Sequence, residues 1–438
     1  MEKKQAVVIG AGFAGLAAAS LMAKKGLSVL LLEESSGPGG RARVLEKDGY
    51  TLEYGVHSFR YAEQSSAHKI MVELGGSPEW IRENHRSWMI KGKDLFPIPG
   101  GAEKIPEDAQ KYFHRPEIEK VKNAVARLVL ERPEKFFRKS LADYFGDLLE
   151  DEKALLMVKL IGLQLMEPDP ARLSAGELIV HLRRAYEAGV GSGHLKGSSK
   201  VLIDKMVSAV IENGGEIKYR NRALALEIEK GRVASVDTSE GEIEPEAVVY
   251  AGPLHQFFRI AAAEHFPEKL VKRVKRMEPV AGVAMDFGLR EKVCETKGWF
   301  IDPEQGIMGR FPSNSDPGLA PGGKQLSSWL ITVPWEKIFD PEAARSAIHR
   351  LRSQIKRLFP DFAALADWER ILVLPVIDGA ALTSKQSMPD RPAIQAPGIP
   401  NLFFAGDIVA VPGASGEIAL RSGIEVSEKC ASLLGKEG

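Results

Sequence analysis

Residues 5–33 read QAVVIGAGFAGLAAASLMAKKGLSVLLLE. After Gln5 the first four residues are apolar, the pattern of a buried parallel strand. They run straight into Gly10-Ala11-Gly12-Phe13-Ala14-Gly15, and residues 16–24 then read as a helix stopped by Gly26. Residues 27–32 form a second apolar strand, closed by Glu33. The spacing is G-x-G-x-x-G with an acid 18 residues after the third glycine, which makes a complete strand–helix–strand unit. Each glycine answers a physical need. Gly10 permits the tight turn, Gly12 lets backbone approach a pyrophosphate, and Gly15 lets the helix pack closely on the strand. Phe13 and Ala14 open the helix, whose free N–H groups and partial positive charge suit phosphate. Glu33 can accept hydrogen bonds from ribose hydroxyls, which favours an unphosphorylated ribose, as in NAD or FAD, over NADP. Glu34 is the neighbouring candidate, although strand alternation points it the other way.

Working outward, Gly39-Gly40-Arg41 follows Glu33 by six to eight residues. A glycine pair beside an arginine offers pliable backbone and a fixed cation to a second phosphate or a flavin. On chemistry alone, a surface turn with a solvated arginine stays open as an alternative. Residues 29–43, VLLLEESSGPGGRAR, resemble the second flavin-contacting stretch of the amine oxidase, protoporphyrinogen oxidase and phytoene desaturase superfamily. Residues 49–59, GYTLEYGVHSF, resemble its next segment, which runs beside the flavin ring, with Gly55, Val56, His57 and Ser58 at the contact positions. Glu53 stands where the family often has Asp, and Val56 where it often has Pro; the Gly-x-His pattern is nearest to the phytoene-desaturase-like branch. Residues 401–407, NLFFAGD, followed by Gly413-Ala414-Ser415-Gly416-Glu417 and a helix, are similar to the family's C-terminal motif.

The resemblance implies non-covalently held FAD and an α/β fold: a discontinuous Rossmann-type FAD-binding domain with a mixed-sheet plus helical substrate domain. It implies that Gly406 and Asp407 reach the ribityl or pyrophosphate region. It also implies that the N–H groups of Gly416 and Glu417 face the N1–C2=O edge of the flavin. Ile418 stands where the family has a glycine. Ala223 is expected to meet adenine through its backbone, and the turn at Ala251, Gly252 and Pro253 to close the dinucleotide site. The expected division is 1–60, 196–256 and 396–438 for the FAD domain, with 61–195 and 257–395 for the substrate domain.

A chain of 438 residues is long enough for two domains. Fifty-nine basic and 59 acidic residues cancel, which removes any bulk electrostatic case for a nucleic-acid partner. Cys294 and Cys430 make neither a disulfide framework nor a metal cluster, so no metal is expected. The N-terminus has no signal-peptide pattern, and no apolar run reaches the ~20 residues that span a bilayer. The reading is of a cytoplasmic protein. Docking at a membrane surface stays open, because Arg132, Lys135, Arg138 and Lys139 lie near Phe136 and Phe137. Residues 61–194 read as mostly helical. Within them residues 154–166, ALLMVKLIGLQLM, predict either a helix buried on nearly all sides or the wall of an apolar tunnel.

Strands are expected at 280–289, 325–333 and 370–377, flooring a substrate cavity. His57 is the candidate catalytic residue, with a structural role as the competing reading. Arg60 could pair with an acidic substrate or a phosphate. The function this implies is an FAD-dependent oxidoreductase acting on a large apolar, isoprenoid-like small molecule. A protoporphyrinogen-oxidase-like or amine-oxidase-like enzyme, and a non-catalytic flavin-binding partner, are the competing readings.

Overall fold

Strand Val29–Glu33 is buried at all five positions because it lies inside a sheet covered on both faces. The computed structural model describes residues 2–55, 58–83, 85–98 and 115–436. In the first seven-stranded sheet, Glu216–Tyr219, Val29–Glu33, Glu2–Ile9 and Gly241–Tyr250 run parallel in that order. The far side of Gly241–Tyr250 is shared between two partners. Its start pairs with the antiparallel hairpin Ala223–Glu229/Arg232–Thr238, and its end pairs in parallel with Leu402–Phe404. Helix Phe13–Lys24 is buried from Phe13 to Ala23, between this sheet, helix Lys200–Glu212 and the C-terminal helix Gly416–Leu433. Close approach of the first and last helices depends on Gly423. A Cβ there would lie 2.6 Å from the Ala17 Cβ and 2.7 Å from the Ala14 carbonyl oxygen.

The second sheet is mixed. Its order is Ala366–Asp378, Val280–Leu289, Gln325–Val333, Ile307–Arg310, Phe300–Asp302, Trp88–Lys91 and Asp94–Pro97, and only the pairing of Phe300–Asp302 with Trp88–Lys91 is parallel. Val280–Leu289 is next to the edge strand Ala366–Asp378 and is buried at all ten positions. Helix Pro341–Leu358 packs on this strand and on Gln325–Val333.

Helices Arg115–Leu130, Glu152–Leu163 and Ala175–Ala188 form a layer over the cavity described below. The apolar stretch at 154–166 stays helical only to Leu163; Met166 has φ +60° in the turn that follows. Helices dominate the described residues of 61–194, as expected, with four short strands added to them. Trp80–Arg82, Trp88–Lys91, Asp94–Pro97 and Ser192–Leu195 are strands. They are three or four residues long, too short to establish a period of two. The turn at Gly92 (φ +63°) between two of them was the readable signal of a hairpin. A small three-stranded sheet, Phe59–Arg60, Ser192–Leu195 and Trp80–Arg82, ties the chain at Phe59 to the helical layer.

Candidate active site

The glycine-rich turn is held from beneath by Glu33. Its carboxylate accepts the Ala11 N–H at 2.7 Å and the Ser35 N–H at 2.8 Å, and the residue is only 8% exposed. Gly10 has φ +103°, and a Cβ there would press within 3.1 Å of the Ala251 backbone. A Cβ on Gly15 would sit 1.8 Å from the Gly10 carbonyl oxygen, so this glycine serves packing and does not line the cavity. Gly12 is the reverse case: a Cβ there meets nothing within 4 Å, because the position opens on the cavity. Phe13, Ala14, Glu34, Ala223, Ala251 and Gly252 line the same end. Glu34 is exposed and lies 3.6 Å from Arg222. The Gly39 N–H donates to the Ala11 carbonyl at 2.8 Å, so the second glycine segment is docked on the first, and Gly40 lies against Gly12.

Arg41 and Asp407 meet, although 366 positions separate them. The guanidinium donates to both carboxylate oxygens at 2.7 Å and to the Ile377 carbonyl at 2.9 Å, while the Gly379 N–H donates to Asp407 at 2.7 Å. Arg41 and Asp407, both expected at the cofactor, line the cavity and are also each other's partner, which the sequence did not show. Burial pushes the Asp407 carboxyl up, but Arg41 and the Gly379 amide outweigh it and hold it below the usual carboxylate range. Gly406 lies in the same wall.

At the N-terminus of Gly416–Leu433, the Glu417 N–H donates to the Ala414 carbonyl at 3.1 Å. Of the two N–H groups expected to face a flavin, only that of Gly416 is left without a partner among the described residues. The Glu417 side chain is buried and accepts from the Ser66 N–H and hydroxyl, each at 2.9 Å, and from Arg184 at 2.8 Å. Ile418 is 1% exposed and faces the core, where it does not line the cavity. Gly55 and Ser58 do line it. Val56 and His57, the latter the nominated catalytic residue, lie outside the described residues.

Three groups escaped the sequence reading. Asp378, at the end of Ala366–Asp378, accepts the Ser415 hydroxyl at 2.6 Å, and Ser415 itself has φ +53°. Burial, reinforced by the neighbouring Asp407 charge, pushes the Asp378 carboxyl up to about 6. No motif marks this residue; only the fold brings it beside Ser415.

The second group is a hydrogen-bonded chain leading inward from the cavity-lining Gln164. The His181 Nε2 lies 3.3 Å from the Gln164 Oε1, and its Nδ1 lies 3.0 Å from the Tyr61 hydroxyl. Burial, with Arg60 and Arg184 nearby, drives His181 down to about 3, so it is neutral, donating from Nε2 and accepting at Nδ1. Arg184 lies 4.4 Å over the Tyr61 ring and closes the chain on Glu417.

The third group is the cluster of Glu83, Ser192, Trp299 and Arg310. Ser192 donates to Glu83 at 2.7 Å and the Trp299 indole at 3.3 Å, and Arg310 pairs with the same carboxylate. Burial would raise the Glu83 carboxyl, but Arg310, His194 and Ser192 hold it down at about 2.

All of this surrounds one cavity of about 1840 Å³, running from Glu33 to the helical layer, where Val125, Val129, Met157, Leu160, Ile161 and Leu182 line it. A model of the flavin containing amine oxidoreductases matches residues 13–431. The chain belongs to this family. The 4,4'-diapolycopene oxygenase of Methylomonas sp is 23% identical over 436 residues, covering 85% of this chain and 80% of its own length. The phytoene dehydrogenase of Streptomyces griseus is 24% identical over 373 residues, covering 75% and 72%. A solved oxidoreductase from Methanosarcina mazei has the same fold, with a TM-score of 0.80 at 20% identity over 97% of this chain and all of that one.

As a flavin containing amine oxidoreductase, the protein is an FAD-dependent oxidoreductase. Its residues fit that cofactor. Gly12 leaves open the space a side chain would fill, Gly416 offers an unpaired N–H, and the cavity is continuous between them.

One prediction arises from Asp378. A carboxyl raised from about 3.9 in the unfolded chain to about 6 in the fold adds stability while it keeps its proton. That stability is full below about pH 3.9 and is lost as pH rises through about 6. Asp378→Asn has no charge to bury. It is expected to be more stable than the parent by about 1–3 kcal/mol at pH 7.5 and to lose that advantage at pH 4. Melting of FAD-free protein at both pH values measures this; an equal difference at the two would remove the buried charge as its cause.

Proposed function

We propose that this protein is an FAD-dependent oxidoreductase acting on a large apolar, isoprenoid- or carotenoid-like substrate. The observation that carries the reading is the apolar chamber continuous with the nucleotide end, walled by helix Glu152–Leu163. It is supported by the carotenoid-type names of the relatives. When bound, FAD supplies a two-electron acceptor that takes a hydride at N5. In this reading the pyrophosphate sits over Gly10, Gly12, Phe13 and Ala14, and Glu33 receives the ribose hydroxyls. Residues 1–60, 196–256 and 396–438 form the domain that holds FAD non-covalently. The chamber orients the substrate and excludes water, and each 100 Å² of apolar surface it covers contributes about 2.5 kcal/mol. Asp378, beside Ser415, can hold or release a proton near neutral pH.

Small amines are poor substrates in this reading. The residues directly before Glu417 are Ala414, Ser415 and Gly416, so this stretch brings no aromatic ring of its own to attract a cation. Among the described residues no helix is long and apolar enough to cross a membrane. The test is anaerobic mixing of oxidised enzyme with polyenes and with primary and secondary amines, and of reduced enzyme with the same polyenes. Flavin bleaching or reoxidation with a polyene is expected. Rapid bleaching by small amines, with no response to any isoprenoid in either direction, would overturn the reading.

A further inference from the structure

One wall of the chamber carries charge for which a pure hydrocarbon has no use. Arg60 lies on Phe59–Arg60, in register with Ser192 of the neighbouring strand, and lines the cavity. Among the described residues its guanidinium has no hydrogen-bond or ion-pair partner. The nearby acids are committed elsewhere. Glu83 is taken up by Ser192, Trp299 and Arg310. Asp378 feels the Arg60 charge, but its hydrogen bond is to Ser415. Glu417 is held by Arg184 and Ser66.

Arg310 adds a second cation to the same wall. Its side chain is 5% exposed, pairs with Glu83 through one nitrogen, and lies 4.9 Å over the Trp299 ring. Arg310 and Glu83 satisfy each other, so the guanidinium left to receive an anion on this wall is that of Arg60. Arg60 is half-buried, and a ligand that brings an anion supplies the partner its guanidinium lacks. The planar fork of arginine matches a carboxylate with two parallel hydrogen bonds.

We propose that the substrate is an amphiphile: an apolar chain or polyene bearing a carboxylate, which Arg60 receives beside the Arg310–Glu83 pair while the chain lies along the helical layer. This rests on the apolar-substrate reading and narrows it to acid-bearing molecules.

Titration calorimetry of the FAD-loaded protein with palmitate and with hexadecanol tests it, because the two probes differ only at the head. Palmitate is expected to bind at least about tenfold more tightly, the worth of one charge-assisted hydrogen bond. Arg60→Gln is expected to bring palmitate to within about twofold of hexadecanol, with hexadecanol affinity and FAD content unchanged. Arg60→Lys, which keeps the charge and loses the fork, is expected to fall between. Equal binding of acid and alcohol by the parent protein overturns the proposal and leaves the apolar-substrate reading standing. Loss of FAD from Arg60→Gln, with the preference for acid intact in whatever protein remains loaded, also overturns it, since the arginine then serves the cofactor. Binding of neither probe defeats both readings. The comparison of acid with alcohol in the parent protein needs no variant to fold.

Discussion

Ending the chain after residue 395 is expected to abolish flavin binding. The deletion removes Leu402–Phe404, which completes the parallel sheet beside Gly241–Tyr250, and the helix that packs on Phe13–Lys24. It takes away Asp407, the bidentate partner of Arg41, and Gly416 with its free N–H. The loss to the core is just as large. Leu402, Phe403, Phe404, Ile418, Leu420 and Val426 are each 1% exposed or less, and full burial of such side chains contributes about 1.5–3 kcal/mol apiece. Their sum is comparable with the whole stability of a domain, about 5–15 kcal/mol. Flavin fluorescence titration with circular dichroism on the same samples separates binding from folding. Asp407→Ala in the full-length chain gives a folded comparison, in which Arg41 loses its partner and flavin affinity should fall. Tight FAD binding by the truncated chain would disprove a cofactor domain that needs both ends.

Glu33→Ala is expected to act twice. The carboxylate accepts the Ala11 and Ser35 N–H groups, and leaving a buried N–H unpaired costs about 1–3 kcal/mol. In the proposed reading the same change removes the charge-assisted acceptor for ribose, so FAD affinity should drop by roughly one to two decades. Glu33→Gln separates the two effects. Its single carbonyl oxygen can keep the Ala11 N–H, while the amide nitrogen faces the Ser35 N–H donor to donor. Stability should therefore recover in part, and affinity for FAD less. Equilibrium dialysis of FAD against both variants, with thermal melts, reads the pair of effects. An unchanged dissociation constant in Glu33→Ala would reduce Glu33 to a scaffold for the turn.

The nucleotide end was legible because phosphate binding imposes local rules. A tight turn, an open backbone and a helix N-terminus must follow one another within a few residues, so Gly10, Gly12, Gly15 and Glu33 announce themselves by spacing alone. The chamber has no such grammar. Arg60, Glu83, Ser192 and Arg310 come from four separate strands or loops spread over 250 positions, and only the three-stranded sheet and the end of strand Ile307–Arg310 in the middle of the mixed sheet bring them together. The pairing of Arg41 with Asp407 was hidden for the same reason: each was read as a ligand contact because its neighbours in sequence gave it no partner. Asp378 ends a strand that was expected at 370–377 and runs from Ala366 to Asp378, and nothing in Ile377-Asp378-Gly379 signals that Ser415 will arrive beside it. Local physics wrote the cofactor end into short stretches, and tertiary contacts alone wrote the substrate end.

The threading of the first sheet from both ends also sets a schedule for synthesis. Helix Phe13–Lys24 leaves the ribosome early, with eleven consecutive residues that the finished protein buries. The helix that covers it begins about 390 residues later. At about 5–20 residues per second, the apolar face waits roughly 20–80 s for its cover. Val29–Glu33 and Glu2–Ile9 can pair early, but Gly241–Tyr250, the other parallel neighbour of Glu2–Ile9, and Leu402–Phe404 beside it follow much later in the chain. A nascent chain of this design exposes a strongly apolar helix through most of its synthesis, and on the proposed domain division cofactor loading waits for the segment that begins at Leu402.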